Sequence, residues 1–132
     1  MAFYEVYIGR EPEPDETFSW DGGDWSGNQP PSIGAGRFPP TDCKEQPFDI
    51  LHSRIYAEYY EGKQTDWGCW AAKASKQQVL EFIDTCYRDD KSHDDPAWPY
   101  RYDGYRSITE AANNLDPDSS YYLVAIEEIG YG

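Results

Sequence analysis

The stretch from Ser75 to Arg88, S-K-Q-Q-V-L-E-F-I-D-T-C-Y-R, contains the clearest structural signal in the chain. Its apolar residues recur at helical spacing and form one stripe: Val79, Leu80, Phe82, Ile83, Cys86 and Tyr87. Ser75 and Gln78 have the spacing of a capping box, in which each side chain hydrogen-bonds the backbone N–H of the other residue. The pattern predicts a helix over residues 76–88 with one apolar face.

Segments of strand character lie on both sides of this helix. Residues 3–8 alternate apolar and polar side chains, as a half-buried strand does. Residues 52–60 and 67–74 predict a β-hairpin, because the polar residues 61–66 between them are typical of a turn. Residues 121–129 are almost continuously apolar, β-branched or aromatic, which predicts a strand buried on both faces.

The rest of the chain predicts one short helix and two long loops. Ser107 and Glu110 form a second capping box, and the helix that it opens should run through Leu115 and stop before Pro117. Residues 9–49 and 88–106 lack periodicity and predict irregular loops. We therefore predict a single α+β domain over residues 1–132, with a mostly antiparallel sheet of about four strands and one main helix on one face.

Composition favours a cytoplasmic protein without a membrane span. The three cysteines, Cys43, Cys69 and Cys86, are an odd number without CxxC spacing, which favours reduced thiols over a disulfide framework. No run of about 18 apolar residues is present, and the amino-terminal residues lack the basic region of a signal peptide.

Charge and aromatic content are the main indications of function. The chain has 25 Asp and Glu residues against 11 Lys and Arg, a net charge of −14, together with 12 Tyr and 5 Trp. A body this acidic repels nucleic acid and anionic membranes and attracts basic surfaces. Aromatic side chains supply rigid contact area of the kind that anchors interfaces. We expect the partner to be a basic protein, with no direct contact to nucleic acid or membrane.

The acidic residues are concentrated in stretches: residues 11–36 contain six acidic residues and no Lys or Arg, and residues 107–132 contain five and again no Lys or Arg. Carboxylates there can occupy a groove that normally holds phosphates, while the rings fill pockets or stack as bases do. The alternative is a solvated surface that only promotes solubility. The predicted partner-binding residues are Glu11, Glu13, Asp15, Glu16, Trp20, Asp21, Asp24 and Trp25 in the first loop, and Asp89, Asp90, Asp94, Asp95, Trp98 and Tyr100 in the second.

No catalytic, metal or cofactor signature stands out. Asp89 to Asp95 with His93 could ligate a cation, but the chain has only one other histidine, and runs of this kind are usually hydrated. Cys69 and Cys86 lie on apolar segments and are interpreted as small buried side chains rather than nucleophiles. We predict no cofactor and no enzymatic activity.

In charge and size the chain resembles small acidic inhibitors as a functional type: DNA-mimic, anti-CRISPR and anti-restriction proteins of phages, and immunity proteins that block nuclease toxins. The resemblance implies that it binds and blocks a basic protein that handles nucleic acid. The alternatives are a small carbohydrate-binding module, in which exposed tryptophans stack on sugars, and a small enzyme that uses loop carboxylates. A third alternative is a structural subunit that dimerises through a self-complementary apolar patch.

Overall fold

The fold is given by a computed structural model, which describes residues 2–16, 18–20, 29–38, 45–66, 69–86 and 99–129. In chain order the described elements are β1 (Ala2–Gly9), β2 (Ser32–Phe38), α1 (Pro47–Tyr56), β3 (Glu61–Asp66), β4 (Cys69–Ser75), α2 (Lys76–Cys86), α3 (Pro99–Asn113) and β5 (Ser120–Ile129). The α+β class is confirmed: the described residues form one antiparallel sheet of five strands and three helices. None of the described helices has the length and apolar character needed to cross a bilayer.

The sheet is built around β5. The strand order is β2-β1-β5-β4-β3, and every described pairing is antiparallel. The side chains of Leu123 and Val124, which point to opposite faces of β5, are both fully buried. The prediction of a strand buried on both faces is therefore confirmed.

One face of the sheet forms the main core with the helices. Val6 and Ile8 of β1 pack with Leu123 and Ala125 of β5, because alternate residues of neighbouring strands share a face. The helices contribute further fully buried side chains to this core: Leu51, Val79, Phe82, Cys86, Ile108 and Ala112.

Helix α2 forms as the capping box predicts. The Gln78 side chain accepts a hydrogen bond from the Ser75 N–H at 3.0 Å, and Ser75 Oγ accepts one from the Gln78 N–H at 3.3 Å. Val79, Phe82 and Ile83 of the apolar stripe are buried. The helix is described as far as Cys86, so residues 87 and 88 lie outside the described part.

Helix α1 replaces a predicted strand. We predicted that residues 52–60 form the first strand of a hairpin, but residues 47–56 are helical. Pro47 at the first helical position, Asp49 in the first turn and Arg54 in the last turn are all favourable to a helix. Leu51 and Ile55, four residues apart, put one stripe on the core. The alternation that suggested a strand spans the last residues of α1 and the connection after it, which contains Tyr59 and Tyr60.

The hairpin exists, but its first strand is the segment that we predicted to be the turn. The polar residues 61–66 form β3 at the edge of the sheet and pair with β4, in the register Glu61↔Lys73 to Asp66↔Cys69. Polar side chains are tolerated on an edge strand, because it pairs along one side only and lies at the margin of the sheet. Hydropathy alone does not distinguish such a strand from a turn.

Both predicted loops contain regular structure. β2 and the start of α1 lie within residues 9–49, and α3 starts at Pro99, within residues 88–106. Ser107 is consequently an interior residue of α3 rather than its N-cap, and its Oγ donates to the Ala35 carbonyl of β2 at 2.9 Å. Helix α3, which corresponds to the short helix predicted from Ser107, is therefore longer than predicted, although it ends before Pro117 as expected.

Candidate functional site

The face of the sheet opposite the helices is covered by an acidic segment. We call residues 10–16 and 18–20 the strap. Phe18 of the strap is buried against Tyr7, Ala71 and Tyr122, which come from three adjacent strands. The rings of Phe18 and Tyr122 meet edge to face with centroids 5.3 Å apart. The strap therefore belongs to the folded body and forms a second, smaller core.

An ion pair joins the first residue of the strap, Arg10, to Glu16. The two terminal nitrogens of Arg10 donate to the two carboxylate oxygens of Glu16, at 2.8 and 3.1 Å. The Glu13 N–H also donates to the Glu16 carboxylate at 2.8 Å. These bonds favour the charged form, so the Arg10 guanidinium holds the pKa of Glu16 below its ordinary value. Glu16 is thus used for internal structure.

A second contact ties the strap to the central strand. The Tyr122 hydroxyl donates to the carboxylate of Glu11, with both oxygens at 3.0 Å. Burial, followed by this bond to a carboxylate, raises the pKa of Tyr122 to about 12. Tyr122 therefore stays neutral at ordinary pH and acts as a hydrogen-bond donor that holds the strap.

Trp20 is packed against the sheet. Its ring stacks on Tyr122 with centroids 5.5 Å apart, and the Nζ atoms of Lys63 and Lys73 lie 4.8 and 4.9 Å from its centroid. Lys63 also donates to the Trp20 carbonyl. Two ammonium groups near one indole are a favourable cation–π arrangement. The packing of Trp20 thus gives no support to its role as a platform for a sugar.

The strap also covers buried polar groups that could have suggested chemistry. Thr65 Oγ1 donates to Cys69 Sγ at 3.0 Å, and both residues are buried. The Tyr7 hydroxyl is buried with no hydrogen-bond partner among the described residues, and burial raises its pKa. Cys69 and Cys86 are buried, as expected of small core side chains. A neutral phenol and a thiol closed off from solvent do not form an accessible catalytic centre.

The structure places five of the predicted partner-binding residues together. Glu11, Glu13, Asp15, Glu16 and Trp20 all lie on the strap, where Glu11, Glu13 and Asp15 are exposed. Tyr100 lies in α3. The remaining predicted residues are outside the described part of the chain: Asp21, Asp24, Trp25, Asp89, Asp90, Asp94, Asp95 and Trp98. Their part in partner binding stays a prediction.

Sequence reasoning missed a second exposed group, at the connection between α1 and β3. Tyr56 and Tyr59 are 75% and 47% exposed. The strand predicted over residues 52–60 would place them on opposite faces of a sheet. The combination of three tyrosines with Glu58 and Glu61 in a short stretch could have marked this segment as an exposed turn.

Metal binding and similarity to other proteins add no functional assignment. Within the described ranges, no group of three or more His, Cys, Asp or Glu side chains could hold a metal ion. His93 and its neighbouring aspartates lie outside those ranges. Comparison of the chain with protein-family models, with curated proteins and with solved structures gave no match.

Proposed function

We propose that this protein binds a basic protein that handles nucleic acid and blocks it by occupying the surface where phosphates bind. The net charge of −14 supports electrostatic attraction to such a partner. A row of carboxylates can replace phosphates because both present negatively charged oxygen acceptors to Lys and Arg side chains.

The observation that carries the proposal is that described cationic side chains are engaged within the molecule. Arg10 pairs with Glu16, and Lys63 is bound to the carbonyl and ring of Trp20. Lys76 Nζ donates to the Asn113 carbonyl at 2.9 Å, which ties α2 to the end of α3. Each of these cations is therefore held by an internal contact and is less available to a partner than a fully solvated side chain would be.

Many carboxylates, in contrast, are turned outward. A set of exposed acids makes no ion pair with any described residue: Glu13, Asp15, Glu45, Asp49, Glu58, Asp84, Glu110 and Asp118. The described surface therefore keeps its excess of negative charge facing solvent. Such a field speeds encounter with a basic partner and rejects other acidic proteins.

The proposal is tested by capture and kinetics. Wild-type protein and a variant with Glu13, Asp15, Glu110 and Asp118 changed to Lys are immobilised, and proteins captured from lysate at low and high salt are identified. The control exchanges Asp and Glu at the same positions, which keeps the charge. We expect the wild type and the control to retain a basic nucleic-acid-binding protein that the Lys variant loses.

Association with the purified partner is then measured by stopped flow. Because steering acts through screened charges, association should slow about tenfold or more when salt rises from about 50 to 500 mM. Undiminished capture by the Lys variant, or an association rate that does not depend on salt, would contradict the proposal.

A further inference from the structure

The connection between α1 and β3 presents a rigid aromatic surface. We call residues 56–61 the tyrosine turn. The exposed fractions of Tyr56 and Tyr59, 75% and 47%, stand out because tyrosine is a large side chain that proteins usually pack. Exposed tyrosines contribute strongly to interfaces, since a large ring is ordered at a low cost in side-chain entropy.

The backbone of the turn is fixed by helix α1 and by a buried neighbour. The Glu58 N–H donates to the Ile55 carbonyl at 3.1 Å, and the Tyr59 N–H donates to the Arg54 carbonyl at 2.9 Å. Tyr60 is only 2% exposed, and its hydroxyl accepts a hydrogen bond from Arg54 at 3.1 Å. The turn is therefore anchored from below and presents its other residues outward.

Side chains of α2 hold Tyr59 in place. The Tyr59 hydroxyl donates to the carboxylate of Glu81, and Gln78 Nε2 donates to the Tyr59 carbonyl at 3.3 Å. The hydrogen bond to Glu81 raises the pKa of Tyr59, so the phenol remains neutral. A partner consequently meets a ring whose orientation is already set, which lowers the entropic cost of binding.

Glu58 has a backbone conformation that its residue type disfavours. Its φ is +62°, in the left-handed region, and it is the only described non-glycine residue there. Glycine commonly occupies such a position after a helix end, because a Cβ is sterically disfavoured in this conformation. Strain of this kind clusters at functional sites. The strained glutamate sits between the two exposed tyrosines.

The tyrosine turn is negatively charged, since residues 56–61 contain two glutamates and no Lys or Arg. Glu58 is exposed and forms no ion pair with a described residue. Glu61 pairs with Lys73 at 3.4 Å, but the Glu61 side chain remains 71% exposed. Arg54 is committed to Tyr60 and to Thr85 Oγ1, at 3.1 and 3.2 Å. The surface thus combines ring faces and carboxylates without a free cation of its own among the described side chains.

We infer that the tyrosine turn docks an arginine side chain of the basic partner, with the guanidinium stacked on the ring of Tyr56, the more exposed of the two tyrosines, and paired with Glu58. Arginine is favoured over lysine because its planar guanidinium both stacks on rings and binds carboxylates through two hydrogen bonds. Arg54 already shows the stacking internally, with its guanidinium carbon 5.6 Å from the Tyr59 centroid. This inference rests on the proposed function and names the surface that performs it.

The test uses two peptides of equal length and charge, one alternating Arg and Gly and the other alternating Lys and Gly. Each is titrated into isotope-labelled full-length protein at about 150 mM salt, and binding is followed by the amide chemical shifts of the protein. We expect the Arg peptide to bind about fivefold or more tightly than the Lys peptide, given the strength of an exposed cation–π contact with ion pairing. Amide shifts should centre on residues 56–61. Equal affinities, or shifts centred on the strap, would overturn the inference.

Variants separate binding from folding. Tyr56→Ala removes an exposed ring and should abolish the preference for Arg. Glu58→Gly should also weaken the Arg peptide while raising the melting temperature, because it removes the carboxylate and the backbone strain together. The matched control, Glu13→Gln with Asp15→Asn, removes charge from the strap and should keep the preference. Arg preference that survives Tyr56→Ala would refute docking at the turn.

Failure of this inference is distinguishable from failure of the proposed function. One outcome is that the captured partner binds the Tyr56→Ala and Glu58→Gly variants as tightly as wild type but fails to bind the variant with Lys at Glu13, Asp15, Glu110 and Asp118. In that case the docking surface is wrong and the function stands. If the peptides discriminate as expected but no basic nucleic-acid-binding protein is captured, the arginine site stands and the function is wrong.

Discussion

Replacing Gly34 by alanine tests how α3 is seated on the sheet. A Cβ on Gly34 would lie 2.2 Å from the Cβ of Ala111, whereas two carbon atoms at their optimal separation are about 3.5–4.0 Å apart. The overlap can be relieved only by moving α3 away from β2. Overpacking of this kind costs about 1–3 kcal/mol, and the stiffer unfolded chain offsets only about 0.4–1 kcal/mol. We expect a net loss of about 1–2 kcal/mol in the free energy of unfolding.

The assay is urea unfolding of Gly34→Ala, Ala111→Gly and the double variant, followed by tryptophan fluorescence and circular dichroism. Ala111→Gly alone should cost about 1 kcal/mol through helix propensity. The double variant removes the clash, so its loss should be smaller than the sum of the single losses by about 1 kcal/mol or more. Unchanged stability of Gly34→Ala, or strictly additive losses, would refute the packing argument.

Three further predictions concern the turn and the strap. Glu58→Gly should raise the free energy of unfolding by about 1 kcal/mol in urea titrations, because glycine adopts the left-handed backbone conformation without a Cβ clash. A free energy of unfolding equal to or below that of the wild type would contradict the strain at Glu58. Tyr122 has its pKa raised from 10.0 to about 12, so its stabilising contribution should be lost as pH rises through that window. In Tyr122→Phe, which cannot ionise or hydrogen-bond Glu11, the free energy of unfolding should depend less on pH in this range. An unchanged pH dependence would contradict the role of the Tyr122 hydroxyl. Glu16 has its pKa lowered from 4.5 by Arg10, so the pair stabilises the fold above that value and is lost as pH falls through the folded pKa. Arg10→Gln should therefore reduce stability at neutral pH but not in strong acid; equal losses at both would count against the ion pair.

The segments that could be predicted from the sequence are those whose local pattern agrees with their tertiary environment. Helix α2 has both a capping box and an apolar stripe, and β5 has continuous apolar character that matches its central position. β2 was missed because S-I-G-A-G-R-F lacks alternation of hydropathy. Its Gly34 is required by the close approach of Ala111, which only the assembled fold reveals.

The candidate site was predictable in composition but not in arrangement. The sequence indicates an acidic and aromatic first loop, and the exposed Glu13 and Asp15 agree with that. The sequence does not show that Glu16 forms an ion pair with Arg10. Nor does it show that Trp20 stacks on Tyr122, because these two residues are far apart in the chain. The tyrosine turn was hidden by the mistaken strand over residues 52–60, because the strand prediction placed the rings on alternating faces.

The most direct test of the central claim is displacement of nucleic acid from the captured basic partner. A labelled oligonucleotide is bound to the purified partner, this protein is added, and the fluorescence anisotropy of the label is followed. The account predicts that anisotropy falls to the value of the free oligonucleotide as the protein reaches one equivalent, and that the Lys variant at Glu13, Asp15, Glu110 and Asp118 fails to lower it. Anisotropy that stays at the bound value while the two proteins form a complex would show that the acidic surface does not occupy the nucleic-acid site.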